Sequence, residues 1–439
     1  MIAALAERLL EARFRTLSGA AQRALLLSLL ANLSVAVAGP AGTRLPEPAA
    51  ASEGHLLFSG RRTRDARAAA FWNAATMHAR TQDDFHPIGN LHVGTVVIPV
   101  ALAGAEQSDA SGESLLDALI RGYTAAAALS RSVSAHTTPR GLRSTGLYSP
   151  FGATTTAASL RAHDARRLGN ALALTASMAS GTTQCWVDGS DEWQLHVARA
   201  ADAGMLAVEL TDHGVRGGSH QLDGPAGFFH ALAGFVPSTE AIIADADPEA
   251  AILETVLKRY PVSGICQPVV LAAERLAHRV GRDPAKVRKL TVAMTPFEMR
   301  YPGTLNKGPF RSFSDVLMSA AFCAASVLEQ GRLVFEDLNR FESPSRDALI
   351  ARTEVVPDDA LGTLSCRVTI SLDDGTEYVE AVHDGGKALA LDWTTVDDWA
   401  EALWEEGGRP RANYARTRDT VLSLADRPGR DLIAALAVG

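Results

Sequence analysis

The feature that most limits what this chain can fold into is a change of hydrophobic period near residue 260. Up to about residue 250, apolar residues recur at helical spacing and no stretch alternates as a strand does. The clearest case is "SGESLLDALIRGYTAAAALSRSV" (111–133). There Leu115, Leu116, Leu119, Ile120, Tyr123 and Leu129 share a face, and Ser111 stands where an N-cap belongs. Beyond 260 the period drops to two. "KLTVAMT" (289–295) alternates, and "LSCRVTISL" (364–372) does so strictly, with Leu364, Cys366, Val368, Ile370 and Leu372 on one side. Asp373, Asp374 and Gly375 then form a hairpin turn into "TEYVEAV". A helix, "SFSDVLMSAAFCAASVLEQG" (312–331), lies between the two alternating stretches.

A chain of 439 residues is too long for one core. The expected architecture is mainly α with an α+β second domain. A large all-helical domain covers 1–257, a smaller α+β domain covers 258–393, and a helical tail over 394–439 rejoins the first. Further helices are expected over 3–37 with a break near "TLSGA", 64–80, 92–106 broken at Pro99, 149–162, 165–181 stopped by Gly181, and 196–214. In the tail, Thr395 is placed to cap a helix that presents Val396, Trp399, Ala400, Leu403 and Trp404 on one face.

Charge and cysteine usage exclude several classes. The net charge is 42 − 50 = −8 and there is no basic block, which argues against nucleic acid and against an anionic membrane surface. Cys185, Cys266, Cys323 and Cys366 form no C-x-x-C pair, so buried thiols in a reducing compartment are expected. "MIAALAERLLEARFR" carries two Glu in its apolar stretch, unlike a signal peptide. "ALLLSLLANLSVAVAG" (24–39) holds Ser and Asn and reads as a buried helix rather than a membrane span. A cytoplasmic protein is expected.

One short segment gathers the chemistry: "HARTQDDFHPIGNLH", His78 to His92. As a metal site it is poorly spaced, because no two of His78, His86 and His92 stand at the i, i+4 spacing of a helical ligand pair. As an acid–base site it is well stocked, since a histidine and a carboxylate in one loop can share a proton near neutral pH. Arg80 could hold an anion there. The plain alternative is a polar loop whose aspartates cap turns. His196 stands at a helix start, and Lys258 and Arg259 lie at the expected seam between domains. The glycine-rich "HGVRGGSHQLDGPAGFFH" (213–230) lacks the phosphate-loop pattern. No dinucleotide fingerprint, P-loop or G-x-S-x-G elbow occurs, so no cofactor is expected.

These residues resemble the MmgE/PrpD family. The likeness runs through "AAFWNAATMHARTQDDFH", "HVGTVVIPVALAGAE", "SGESLLDALIRGYTAAAALS", "STGLYSPFGATTTAASL", "GSDEWQLHVARAADAG", "LDGPAGFF", "LKRYP" and the "DDG" hairpin, all in family order. The resemblance implies a helical domain with an α+β lid, a homodimer, a site between the domains that needs no metal, and carbanion-like chemistry beside a carboxylate. It implies roles for His78, Asp83 and Asp84 in the first loop, for His92, for His196 and for Lys258 of K-x-Y-P. Five positions depart from the family pattern. Its first loop aspartate is Thr81, a histidine ahead of the small-residue helix is Arg143, the lysine of K-R-L-H is Trp193, and two histidines after K-x-Y-P are Ser263 and Gln267.

The expected protein is therefore a cofactor-free lyase or isomerase acting beside a carboxylate or carbonyl of a small organic acid, and not a standard 2-methylcitrate dehydratase. Proton transfer is assigned to His92 with Asp83 or Asp84, and Lys258 is placed with them as catalytic. His78, Arg80, Arg143, Trp193, His196 and Ser263 are assigned to substrate binding and orientation. Trp193, Phe85 and Ser263 suggest a less charged, more apolar substrate. The rivals are a cyclase or isomerase of specialised metabolism, a binding protein that lost the chemistry, and a metal-dependent hydrolase using His78, His86 and His92.

Overall fold

The structure, a computed structural model, describes residues 1–280 and 284–437. The chain divides into two compact units. One comprises Met1–Thr182, Trp193–Thr255 and Asp392–Gly439, and the other Thr183–Glu192 and Val256–Leu391. The segment Thr183–Glu192, read from the sequence as part of the helical domain, thus clusters with the second unit.

The first unit is helical except for a two-residue pairing of His55–Leu56 with Arg62–Thr63, too short to show a period in the sequence. Helix Gly112–Arg131 packs along Ser144–Leu160, and Ala66–His78 packs along Gly94–Ser108. The first pair approaches unusually closely where two glycines meet. A Cβ on Gly152 would stand 2.8 Å from the Gly122 carbonyl oxygen, and one on Gly122 would stand 2.2 Å from Thr156 Oγ1. Helix Gly19–Val37, capped by Ser18, is long and apolar enough to cross a membrane by length and composition. It is 67% buried within the unit over its most apolar window, and its buried residues include Ser28 and Asn32, as befits a core helix apolar all round.

Several element ends differ from expectation for identifiable reasons. Pro99 does not break its helix, which runs from Gly94 to Ser108. Its ring removes the bond to the Thr95 carbonyl, but its fixed φ suits a helix and the helix is held by packing against Ala66–His78 and Ser144–Leu160. The helix expected to end at Gly181 ends at Ala176, because Ser180 N and Gly181 O bond instead to Gly146 O and Arg143 N. Asp392, not Thr395, caps helix Trp393–Glu406; its carboxylate accepts from Thr395 N at 2.8 Å and Thr395 Oγ1 at 2.7 Å. The helix expected over 312–331 is split into Phe313–Leu317 and Ala320–Gln330, the second restarted by Ser319, whose hydroxyl accepts from Phe322 N.

The second unit is built on a mixed four-stranded sheet in the order Thr353–Pro357, Val287–Met294, Cys366–Leu372, Glu377–Val382. The first pair is parallel and the other two antiparallel, with Met294 opposite Cys366 and Ile370 opposite Tyr378. Cys366, Val368 and Ile370 are fully buried, as their alternation predicts, and Gly375 closes the hairpin at φ +87°. Helix Gln267–Val280 covers one face. Strand Thr353–Pro357 was not foreseen, since "TEVVP" is too short and mixed to declare itself. The architecture is mainly α with an α+β second domain, as expected.

Gly152→Ala is expected to destabilise the first unit by about 1–3 kcal/mol through overpacking. Thermal unfolding of the variant beside the wild type measures this, and an unchanged transition would contradict so close a helix contact.

Candidate active site

Helix Ala66–His78 begins at Asp65, whose carboxylate accepts from Arg67 N at 2.8 Å and Ala68 N at 3.2 Å. It ends by delivering His78. The chain then reverses at Thr81, which sits in the left-handed region at φ +53° with its N–H donated to the His78 carbonyl. This reversal brings Asp83 back against His78, with Nδ1 at 2.9 and 3.0 Å from the two carboxylate oxygens. A bridge between His86 and Leu91 closes the next loop and returns the chain. His92 consequently lands on the same carboxylate, its Nδ1 3.0 Å from Asp83 Oδ2 and 3.0 Å from the Asp84 carbonyl oxygen. The His92 backbone is held on both sides, its N–H by Thr145 Oγ1 and its carbonyl by the Ser149 hydroxyl.

Asp83 therefore lies between two imidazoles, with no exposed side-chain surface; His92 retains 15% exposure. Arg143, from the start of helix Ser144–Leu160, donates to His78 Nε2 at 2.8 Å, to His196 Nδ1 at 3.2 Å and to the Trp193 carbonyl at 2.6 Å. A guanidinium only donates, so His78 Nε2 presents a lone pair and Nδ1 carries the proton. Burial pushes the His78 pKa down to about 3 despite the pull of Asp83. His196 is likewise pushed down to about 3, by burial and then by the Arg143 charge. Both imidazoles are neutral at ordinary pH. The Trp193 ring packs edge-on to His78 at 5.2 Å, and Phe85 is 5.5 Å from His92.

Of the residues expected from sequence, His78, Asp83, His92, Arg143, Trp193 and His196 meet in this cluster. Others have different work. Asp84 Oδ1 accepts from Gly94 N at 2.9 Å; its Oδ2 accepts from Ser28 Oγ at 2.8 Å, Asn32 Nδ2 at 3.1 Å and the Tyr123 hydroxyl. Its carboxylate is a buried tie between helices and faces away from the His78–Asp83–His92 cluster. Arg80, expected to hold a substrate anion, instead forms a two-pronged ion pair with Glu406 at 2.7 and 2.8 Å and bonds Gln82. His86 accepts from Gly89 N at Nδ1 and turns Nε2 toward Glu254 at 3.4 Å, away from His78 and His92. Lys258 and Ser263 belong to the second unit. Lys258 is buried, and Ser263 Oγ caps Gly264–Cys266, while Gln267 braces the same loop through Tyr260 and Val262.

The residues that sequence reasoning missed are supports: Ser28, Asn32 and Tyr123 around Asp84, and Thr145 and Ser149 around His92. Ser28 and Asn32 did carry a signal, being a polar pair one turn apart in an otherwise apolar helix. One ligand atom from each of His78, Asp83 and His92 lies within 4.8 Å of the others, a spacing a metal ion could use. The Arg143 charge beside His78 opposes a second cation there, and His86 is absent from the set, so the trio expected of a hydrolase is not assembled.

A helical unit and an α+β unit on a four-stranded mixed sheet define a two-domain protein, and the helical unit holds a His–Asp–His cluster. The chain belongs to the MmgE/PrpD family: the MmgE/PrpD N-terminal domain matches residues 3–238 and the MmgE/PrpD C-terminal domain matches residues 260–391. Members of the family are typically lyases or dehydratases, and at that level the chain is a lyase-like enzyme. No curated protein matches it.

Two stability predictions follow from these environments. Asp84→Ala removes the acceptor of four donors and is expected to cost about 3 kcal/mol or more, read by denaturant unfolding. For His78 and His196 the pKa falls from 6.5 unfolded to about 3 folded. The folded chain then binds fewer protons between those values, so their contribution is complete above about pH 6.5 and is lost as pH falls toward 3. Unfolding followed across that window should show a shallower acid loss in His78→Gln than in the wild type; parallel curves would refute the buried neutral state.

Proposed function

We propose that Asp83 and His92 are the proton-transfer pair of a lyase or isomerase acting beside a carboxylate or carbonyl of a small organic acid. The observation that supports this most is the double acceptor at His92 Nδ1, with Asp83 Oδ2 and the Asp84 carbonyl oxygen each at 3.0 Å. Two acceptors there keep the proton on Nδ1 and make Nε2 the basic atom. His92 Nε2 removes the proton from the carbon next to the carboxylate, and buried Asp83 stabilises the imidazolium that forms without itself taking the proton. Loss of a leaving group from the neighbouring carbon completes an elimination. Where CO2 departs instead, Nε2, protonated beforehand from solvent, gives its proton to the carbanion; delivery of a proton from water to the opposite face of the carbanion, with His92 releasing the abstracted proton to solvent, gives an isomer.

The surroundings favour a substrate with few carboxylates and an apolar body. Arg80 is paired with Glu406, Arg143 is bonded to three groups within its own unit, and Trp193 and Phe85 flank the imidazoles. A tricarboxylate would need several cations here and would meet aromatic rings instead.

The test is hydrogen exchange. The full-length protein is incubated in D2O with a panel of mono- and dicarboxylic acids, and loss of the C–H signal beside the carboxylate is followed by NMR. Exchange or turnover is expected for at least one acid. His92→Ala should abolish it, and Asp83→Asn should lower it about 10²- to 10⁴-fold by freeing the wrong tautomer. Undiminished exchange in His92→Ala would sink the assignment.

A further inference from the structure

We infer that Arg143 is a positioning residue that fixes which nitrogen carries the proton on His78 and on His196, and so keeps Asp83 an acceptor for His92. The guanidinium is buried, with 3% of the residue exposed, and its backbone N–H is tied to the Gly181 carbonyl at 3.0 Å. NH1 reaches the Trp193 carbonyl at 2.6 Å and His196 Nδ1 at 3.2 Å, and NH2 reaches His78 Nε2 at 2.8 Å. Every one of these is a donor meeting an acceptor.

The consequence runs through the cluster. A guanidinium stays protonated throughout the working range and cannot accept. Protonating His78 at Nε2 would set N–H against N–H and a cation against a cation. His78 is therefore held with its proton on Nδ1, aimed at Asp83, and His196 with its proton on Nε2. Asp83 receives N–H groups from His78 and His92 and gives a proton to neither. The groups facing His78 are Asp83, His92, Arg143 and the Trp193 ring; Asp83 accepts at Nδ1 and Arg143 donates at Nε2, so the two fix its tautomer from opposite sides. Lysine could not replace it, because three acceptors in different directions need the flat fork of a guanidinium rather than one ammonium.

The tautomers are readable without substrate, so this inference stands apart from the proposed reaction except in its effect on turnover. The full-length protein is labelled with 15N-histidine, and ring nitrogen signals are assigned through His78→Gln and His196→Gln. From about pH 5 to about pH 8, wild-type His78 should remain neutral with Nδ1 protonated, and His196 neutral with Nε2 protonated. Arg143→Lys should mix the tautomers of both. A wild-type His78 that is cationic near neutral pH, or protonated at Nε2, overturns the inference even if the variant does not fold. Tautomers unmoved by Arg143→Lys overturn it as well. With any acid found to exchange, Arg143→Lys should lower kcat about 10- to 100-fold, as loss of an imidazole-orienting group does elsewhere, with KM little changed. A raised KM at full kcat would make Arg143 a substrate anchor instead. If no acid exchanges, the proposed reaction falls while the tautomer result still decides the role of Arg143.

Discussion

A carboxylate with no exposed surface can remain in a protein only if donors surround it, and Asp83 is such a carboxylate. Its donors include the Nδ1 atoms of His78 and His92, and bringing both to it determines the path of the chain. The helix must end at His78, the backbone must reverse within a few residues, and a closed loop must carry His92 back. Thr81 makes the reversal in a left-handed conformation that a β-branched residue adopts at a cost of about 1–3 kcal/mol. Its hydroxyl, buried, finds no hydrogen-bond partner among the described residues. The strain and the orphaned hydroxyl fall at the turn that makes the cluster possible, which is where rigid surroundings must hold an unfavourable conformation.

Asp84 supplies that rigidity. One residue from Asp83, it faces the opposite way and binds the backbone of helix Gly94–Ser108, Ser28 and Asn32 of helix Gly19–Val37, and Tyr123 of helix Gly112–Arg131. Burial and the adjacent Asp84 push the Tyr123 phenol well above its ordinary pKa, so it stays a donor. Gly94 is required at the junction, because a Cβ there would come within 2.6 Å of Tyr123, Asn32 and Asp84 atoms. The loop is thus bolted to three helices through one of its aspartates, while the other is held between two imidazoles.

The sequence shows the change of period, the hairpin at Gly375 and the segment that carries the cluster, because each is a local pattern. It does not show which aspartate faces which way, since two neighbours of identical type differ only in distant partners. Arg80 looked like an anion anchor until Glu406, in the tail of the chain, claimed it. Pro99 and Gly181 misled as stop signals for the same reason: helix position and tertiary hydrogen bonds outweighed local propensity. Ser28 and Asn32 could have been found as polar residues in an apolar helix, whereas nothing near Arg143 in sequence announces His78 as its acceptor.

Two departures from the family pattern meet in space. Where the resemblance expects a histidine the chain has Arg143, and where it expects a lysine it has Trp193; the guanidinium of one bonds the backbone carbonyl of the other at 2.6 Å. One substitution adds a cation and the other removes one, so positive charge is moved rather than lost. It moves from a long flexible arm to a buried fork bonded to two imidazoles and a carbonyl, and the vacated position is filled by an indole ring against His78. A lysine can follow a substrate carboxylate, but a fork bonded to three acceptors in its own unit orders the groups around it. The pair of changes therefore moves positive charge from an arm that could follow a ligand to a fork that orders the imidazoles around it. That difference supports the proposal of an apolar acid with few carboxylates over a tricarboxylate.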